Sequence, residues 1–363
     1  MKPDVIIVGA GVMGAALARR LSADGFRVLV CAWEAPSHDA TWAAAGMLCA
    51  QVEEDRRGPL LDLLLAAEDR WAQMGDRFDY QRRGVLRVAL DEQERAELLR
   101  QKSRQEKLGL PVEFLEPKDL RRLEPGLTHD LTGACLFPRG GQVDNRALVP
   151  AFRVEAEKRG AEYRSGRVTD VVVEGGRVRG VRFEGQRIEA DAVVVAAGAW
   201  TDSIRGLGLA STVPVRGQLV AFPALPPPVF RPVYGAGGYV LPKYGKFLIS
   251  GTTVERVGFA TRVTKAATRL LTERARRLCP SLEKVAVVDA WAGLRPGSAG
   301  SAGGPLFGPT SVTGLHVAVG LFRNGILLAP LVADLVVRAI AGEREAIPKA
   351  FRASRLASGR REE

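Results

Sequence analysis

Histidine is almost missing from this chain: His38, His129 and His316 are the three in 363 residues. None sits in an HExxH pattern, so metal-dependent hydrolysis and Ser-His nucleophilic chemistry lack their usual parts, and no metal is expected. Cysteine is nearly as scarce. Cys31, Cys49, Cys135 and Cys279 form no CxxC and no pair at zinc spacing, which excludes a disulfide framework and points to a reducing, cytoplasmic setting. No apolar run reaches the roughly 18–20 residues that a membrane helix needs, so no membrane partner is expected. Aromatic residues make up 6%, and the 52 Lys+Arg that outweigh 41 Asp+Glu are spread along the chain rather than clustered with aromatics. The net charge of +11 therefore reads as a solvated surface and not as a nucleic-acid site.

What remains is an ordinary globular balance, 46% hydrophobic and 26% charged, long enough for two or three domains. Residues 5–17 after Lys2 mimic the apolar core of a secretion signal. Three glycines inside that stretch favour another reading. Residues 4–8 form a β-branched run, Gly9-Ala10-Gly11-Val12-Met13-Gly14 follows, a helix is predicted over 12–24, and 28–32 is a second apolar strand. In a βαβ unit of this length GxGxxG marks a dinucleotide site. Gly9 allows the tight turn, Gly11 lets backbone approach a pyrophosphate, and Gly14 lets helix and strand pack closely, with the anion on the helix N-terminus.

Further along, helical patterns cover 59–71, 92–107 and 148–158, and residues 84–90 alternate as a strand. A hairpin is predicted over 167–173 and 178–183, turned at Gly175-Gly176. Residues 192–196 are another buried strand. Residues 213–258 are rich in Pro, aromatics and short strands (238–241 and 247–251), 315–319 is a strand, and a nearly all-apolar helix covers 325–340. The predicted class is α/β, with a nucleotide domain built from 1–80, 141–212 and 292–345. A mainly antiparallel substrate domain is inserted as 81–140 and 213–291, and 346–363 is a polar tail.

Arg295 and Arg323 are each embedded in apolar and glycine surroundings. A buried guanidinium is costly alone, so each requires an anionic partner. A substrate carboxylate suits the planar fork; a structural salt bridge is the other reading. Six stretches give these residues a setting: Ala43-Ala44-Ala45-Gly46-Met47-Leu48, Val143-Asp144-Asn145, Ala196-Ala197-Gly198-Ala199-Trp200, Val215-Arg216-Gly217-Gln218, Trp291-Ala292-Gly293-Leu294-Arg295-Pro296-Gly297 and Phe322-Arg323-Asn324-Gly325-Ile326-Leu327-Leu328-Ala329-Pro330. Together, and in this order, they resemble the D-amino-acid-oxidase-like flavoproteins, most closely their glycine-oxidase branch, over nearly the whole chain to about residue 345.

The resemblance implies a Rossmann-like FAD-binding domain of the glutathione-reductase type and non-covalent FAD. It places Gly9, Gly11, Val12, Met13, Gly14, Thr41, Ala44, Ala45, Gly46, Val168, Ala197, Gly198, Trp200, Asn324, Gly325, Ile326 and Leu327 along the cofactor. It also makes Arg295 the carboxylate clamp, Tyr239 a second contact, and Arg323 and Met47 flavin-side residues. The implied reaction is oxidation of glycine or another small amino acid or amine. Hydride passes to the flavin, O2 reoxidises it to give hydrogen peroxide, and the imine product is released as ammonia and glyoxylate or supplied to thiamine thiazole synthesis. A homotetramer is implied on the same basis. The chain departs from the pattern at Ala32, where an acidic residue should grip the ribose and Glu34 two positions on is the substitute, at Trp42 beside the flavin phosphates, at Leu321 where a histidine is frequent, and in the acid-free segment 298–304. An amino-acid dehydrogenase using another acceptor, and a non-catalytic relative with weakened FAD binding, stay open as alternatives.

Overall fold

A computed structural model describes residues 2–33, 39–75, 77–207, 212–224, 226–243, 247–298 and 304–354. The start is the βαβ unit: β1 (Val5–Val8), α1 (Val12–Ala23) and β2 (Val28–Ala32), with β1 and β2 parallel. Every β1 residue is buried, as a strand covered on both faces requires. Strand Ala192–Val195 pairs with β1 on its other side, Leu315–Val319 lies beyond it, and Glu162–Ser165 extends the β2 edge. Four distant stretches thus form one parallel core, closed by the antiparallel strand Leu306–Pro309 into a six-stranded sheet.

One face of this sheet carries α1 and the helices Pro59–Met74, Asn145–Glu157 and Gly325–Ile340. The last is apolar nearly all round, with ten buried residues. Helices of that kind belong inside a protein. Trp71, fully buried, donates its indole N–H to the Leu327 carbonyl at 3.0 Å, tying the helix to Pro59–Met74. The opposite face packs against the hairpin Val168–Glu174 and Arg177–Phe183. Gly175 and Gly176 turn it with φ of +57° and +73°, the left-handed pair that a two-residue hairpin demands.

The second sheet has eight strands and is antiparallel except where Val233–Gly235 meets Val85–Ala89. Its long pair, Thr212–Pro223 with Asp289–Ser298, runs in register from Thr212↔Ser298 to Ala221↔Asp289. The boundary expected between residues 291 and 292 therefore falls inside a strand. The amphipathic helix Lys265–Leu278 buries Ala267, Leu271, Ala275 and Leu278 against this sheet.

The polar tail starts later than residue 346. Ile347, Phe351 and Ala353 are buried, and Phe351 stacks on Phe307 with ring centroids 5.8 Å apart. Gly308 makes room for Ile347, whose Cγ1 lies 2.7 Å from where a Cβ would stand. The basic composition of the segment concealed this short apolar anchor.

The glycines of the first turn are not equivalent. A Cβ on Gly14 would stand 1.9 Å from the Gly9 carbonyl oxygen, whereas one on Gly11 would meet only the Thr41 hydroxyl, at 3.4 Å. Gly14→Ala is expected to cost about 1–3 kcal/mol through forced backbone displacement, and Gly11→Ala less than about 0.5 kcal/mol. Equal midpoints for the two variants in thermal unfolding would contradict this.

Candidate active site

A cavity of about 850 Å³, lined by residues from both sheets, runs from the N-terminus of α1 to Tyr239, Arg295 and Arg323. It lies within the range typical of cofactor sites. At one end Gly9 turns with φ of +109°, and Gly11 starts α1 without a side-chain cap, leaving helix N–H groups directed at the cavity. One of them, on Val12, is satisfied at 3.1 Å by the Thr41 hydroxyl. The uncapped helix start, the open side of Gly11 and the length of the cavity fit a dinucleotide with its pyrophosphate on α1. One element of that fit is weaker: β2 ends at Ala32, so its last residue offers no carboxylate to a ribose, and Trp33, 63% exposed, borders the cavity beside it.

Residues 39–47 form one wall, held from several sides. The Asp39 carboxylate accepts from the N–H groups of Thr41 and Trp42, capping a short helical turn. The Asn145 amide donates to the carbonyls of Thr41 (2.7 Å) and Trp42 (3.1 Å), and the Trp291 indole donates to the Ala43 carbonyl at 2.9 Å. The Lys243 amine reaches the carbonyls of Ala45 (2.7 Å) and Val143 (3.3 Å) and the Asn145 Oδ1; burial pushes it down to about 7. Gly46 adopts φ of +90° and has no room for a Cβ, which would stand 2.3 Å from the Val143 carbonyl oxygen. Trp42 does not project into empty space: the Arg146 guanidinium lies 3.9 Å from its ring centroid.

At the other end the second sheet presents its polar groups. Tyr234 and Tyr239 stand opposite each other across the hairpin Val233–Gly235 and Gly238–Lys243, with centroids 5.7 Å apart. Burial raises both phenols, Tyr239 to about 12, so each is a neutral hydrogen-bonding group. Arg295 extends from Asp289–Ser298 and donates to the Thr252 hydroxyl (2.6 Å) and the Thr253 carbonyl (3.1 Å). Its guanidinium lies across Gly217, where a Cβ would stand 2.2 Å from both terminal nitrogens. Among the described residues no carboxylate is within ion-pair distance of it. Burial pushes its pKa below the ordinary value; the nearby Tyr239 opposes that shift and Arg323 adds to it.

Arg323 differs. Its anionic partner is internal: Glu53 accepts from it at 3.0 Å, and also from the Tyr234 hydroxyl at 3.3 Å. Burial alone would lower Arg323, but the Glu53 charge and Tyr234 outweigh it and hold its pKa above the usual value. Of the two readings left open for each arginine, the salt bridge is the one seen at Arg323, which already has its counter-ion.

Most residues named from the sequence border this cavity, including Met47, Tyr239, Arg295, Arg323, Val168, Trp200, Gly198, Gly325 and Ile326. Gly14, Asn324 and Leu327 do not line it. Gly14 faces the Gly9 carbonyl, Asn324 accepts from the Leu328 N–H at the helix start, and the Leu327 side chain is in the core. Glu34 lies outside the described residues, as do 299–303; Ser298 and Gly304 close the base of that segment through hydrogen bonds of 2.7 and 3.1 Å. Glu53, Tyr234, Thr252 and Arg146 were not singled out from the sequence. Glu53 hides in the acidic run Glu53-Glu54-Asp55, which reads as surface. Tyr234 had a signal: two tyrosines equidistant from Ala236-Gly237 face each other in any hairpin centred there.

Known proteins resemble this chain over most of its length. A glycine oxidase of Geobacillus kaustophilus is 35% identical over 355 residues, covering 92% of this chain and 93% of that protein. The bifunctional protein ThiO/ThiG of Synechocystis sp. is 32% identical over 348 residues, covering 92% of this chain but 51% of the relative, so the chain spans about half the length of that protein. The crystal structure of a glycine oxidase from Bacillus cereus superposes with a TM-score of 0.88 at 29% identity, covering 95% of this chain and 96% of that one. The family model described as FAD dependent oxidoreductase, DAO, matches residues 4–339, and the chain belongs to that family.

Proposed function

We propose that this protein oxidises glycine or another small amino acid, with O2 as the final electron acceptor and hydrogen peroxide as co-product. The observation that carries the reading is Arg295, a half-buried guanidinium without a carboxylate partner among the described residues, opening on the cavity that begins at α1. Gly9, Gly11 and the start of α1 would hold the FAD pyrophosphate, and the 41–46 wall and Gly325-Ile326 would border the rest of the cofactor. Bound there, FAD supplies the two-electron acceptor. Glycine-oxidase relatives of matching length support the substrate, and the bifunctional ThiO/ThiG relatives support delivery of the imine product to thiazole synthesis. Four buried free thiols support a reducing, cytoplasmic setting.

The chain's own part is binding, orientation and charge. Arg295 takes the substrate carboxylate through its fork, and Tyr239, which stands within its field, fixes the second direction. Arg295 and Arg323 with Glu53 sum to +1, and a bound carboxylate brings the site to zero. An ammonium would add an uncompensated buried charge, so the amine is held neutral, the form whose lone pair assists oxidation.

Arg295 is itself positioned. The Thr253 hydroxyl donates to Glu255 at 2.6 Å, the Gln218 amide donates to the same carboxylate at 2.7 Å, and Arg216 pairs with it. Burial opposes ionisation of Glu255, but these three partners hold it down at about 2.

Purified protein should show flavin absorbance that bleaches with glycine or another small amino acid in the absence of air; colour that persists with all of them would overturn the reading. Arg295→Ala should raise KM for glycine by about a hundredfold or more with flavin retained, which steady-state kinetics and the visible spectrum measure together. Glu255 contributes stability above the ordinary carboxylate pKa of about 4.5, and this is lost as pH falls through about 2. Glu255→Gln should therefore lower the unfolding midpoint at pH 7 and shrink its fall between pH 4.5 and 2, as thermal scans across pH test.

A further inference from the structure

We propose that Glu53 sets the charge of the substrate end of the cavity, and so the class of substrate: by neutralising Arg323 it leaves Arg295 as the sole anion receptor. The site then selects amines carrying one carboxylate and rejects those with a second anionic group. This rests on the amino-acid oxidase reading above and names the substrate class within it.

Two guanidinium groups border this end of the cavity, each within the field of the other. Left alone they would form a +2 site, suited to a dicarboxylate. Glu53 prevents that. It ends the short helix Ala50–Glu53, its side chain is 15% exposed, and it reaches across 270 residues of sequence to Arg323 at 3.0 Å. The Tyr234 hydroxyl donates to the same oxygen and helps to fix the carboxylate in place. Both tyrosines are neutral, so the charged groups at this end are Arg295, Arg323 and Glu53. The other charged groups on the cavity wall are Asp39, whose carboxylate caps Thr41 and Trp42, Arg146, which stacks on Trp42, and Arg167, which directly precedes the hairpin strand Val168–Glu174.

Selection by this arrangement is repulsive as well as attractive. A second carboxylate on the substrate would face Glu53 on the cavity wall and would have to displace it from Arg323. A single carboxylate meets only Arg295.

The test compares acetate with malonate, which is acetate bearing a second carboxylate, binding to the FAD-loaded protein at pH 8. Binding is followed by the flavin spectrum and by calorimetry. Wild type should bind acetate more tightly than malonate. Glu53→Gln should shift the malonate-to-acetate affinity ratio toward malonate by at least tenfold, and Glu53→Asp should keep the wild-type order. Glu53→Gln combined with Arg323→Leu returns the local charge to +1 and should bring the ratio back to within about threefold of wild type. An unchanged ratio in Glu53→Gln that retains flavin and a cooperative melt overturns the proposal. If that single variant fails to fold, Arg323→Leu asks the same question: Glu53 is then uncompensated, acetate affinity should drop at least tenfold, and no drop overturns the proposal. Wild type that binds these anions in the expected order without oxidising glycine would defeat the oxidase reading and leave the charge assignment standing.

Discussion

A guanidinium half withdrawn from water with no carboxylate beside it carries a desolvation cost, and the architecture at the far end of the cavity is arranged around that cost. Gly217 carries no side chain, so Arg295 lies flat across the backbone of the neighbouring strand. Thr252 and Thr253 satisfy part of its donor set with a hydroxyl and a carbonyl, both neutral. Behind them Glu255, Gln218 and Arg216 fix that turn. The positive charge is thus supported by hydrogen bonds without being cancelled, which is the condition for attracting an anion from solution.

Arg323 is the contrast that makes the site specific. It borders the same cavity and has the same chemistry, yet its charge is met inside the protein by Glu53. The wall formed by residues 39–47 has a similar logic. Asn145, Lys243 and Trp291 come from separate stretches of chain and each binds a backbone carbonyl of this segment. A loop bordering a large cavity would otherwise be free to collapse into it.

Much of the fold was legible because its signals are local. The run at residues 4–8 with GxGxxG and a second apolar strand specifies β1, α1 and β2 through periodicity and backbone sterics alone, and Gly175-Gly176 specifies a hairpin by the same means. Arg295 was legible as a charge in apolar surroundings. What stayed hidden depends on distance. No local pattern links Glu53 to Arg323 across 270 residues, and an acidic residue in an acidic run gives no hint that it borders a cavity. The anchor at Ile347 and Phe351 was hidden because two apolar residues in a basic segment carry no period. The missing acid at the end of β2 was visible from the sequence, and the structure leaves Ala32 and Trp33 there.

The order of strands in the parallel sheet has a bearing on how the molecule is made. Strand Ala192–Val195 separates β1 from Leu315–Val319, and the helix that shields this sheet is not complete until residue 340. During synthesis, β1 gains its second strand neighbour only once residue 195 has emerged, and the parallel sheet lacks its outer strand until residue 319. The βαβ unit of residues 5–32 must wait as an incomplete, apolar unit until residues 315–340 supply the last parallel strand and the helix that covers the sheet.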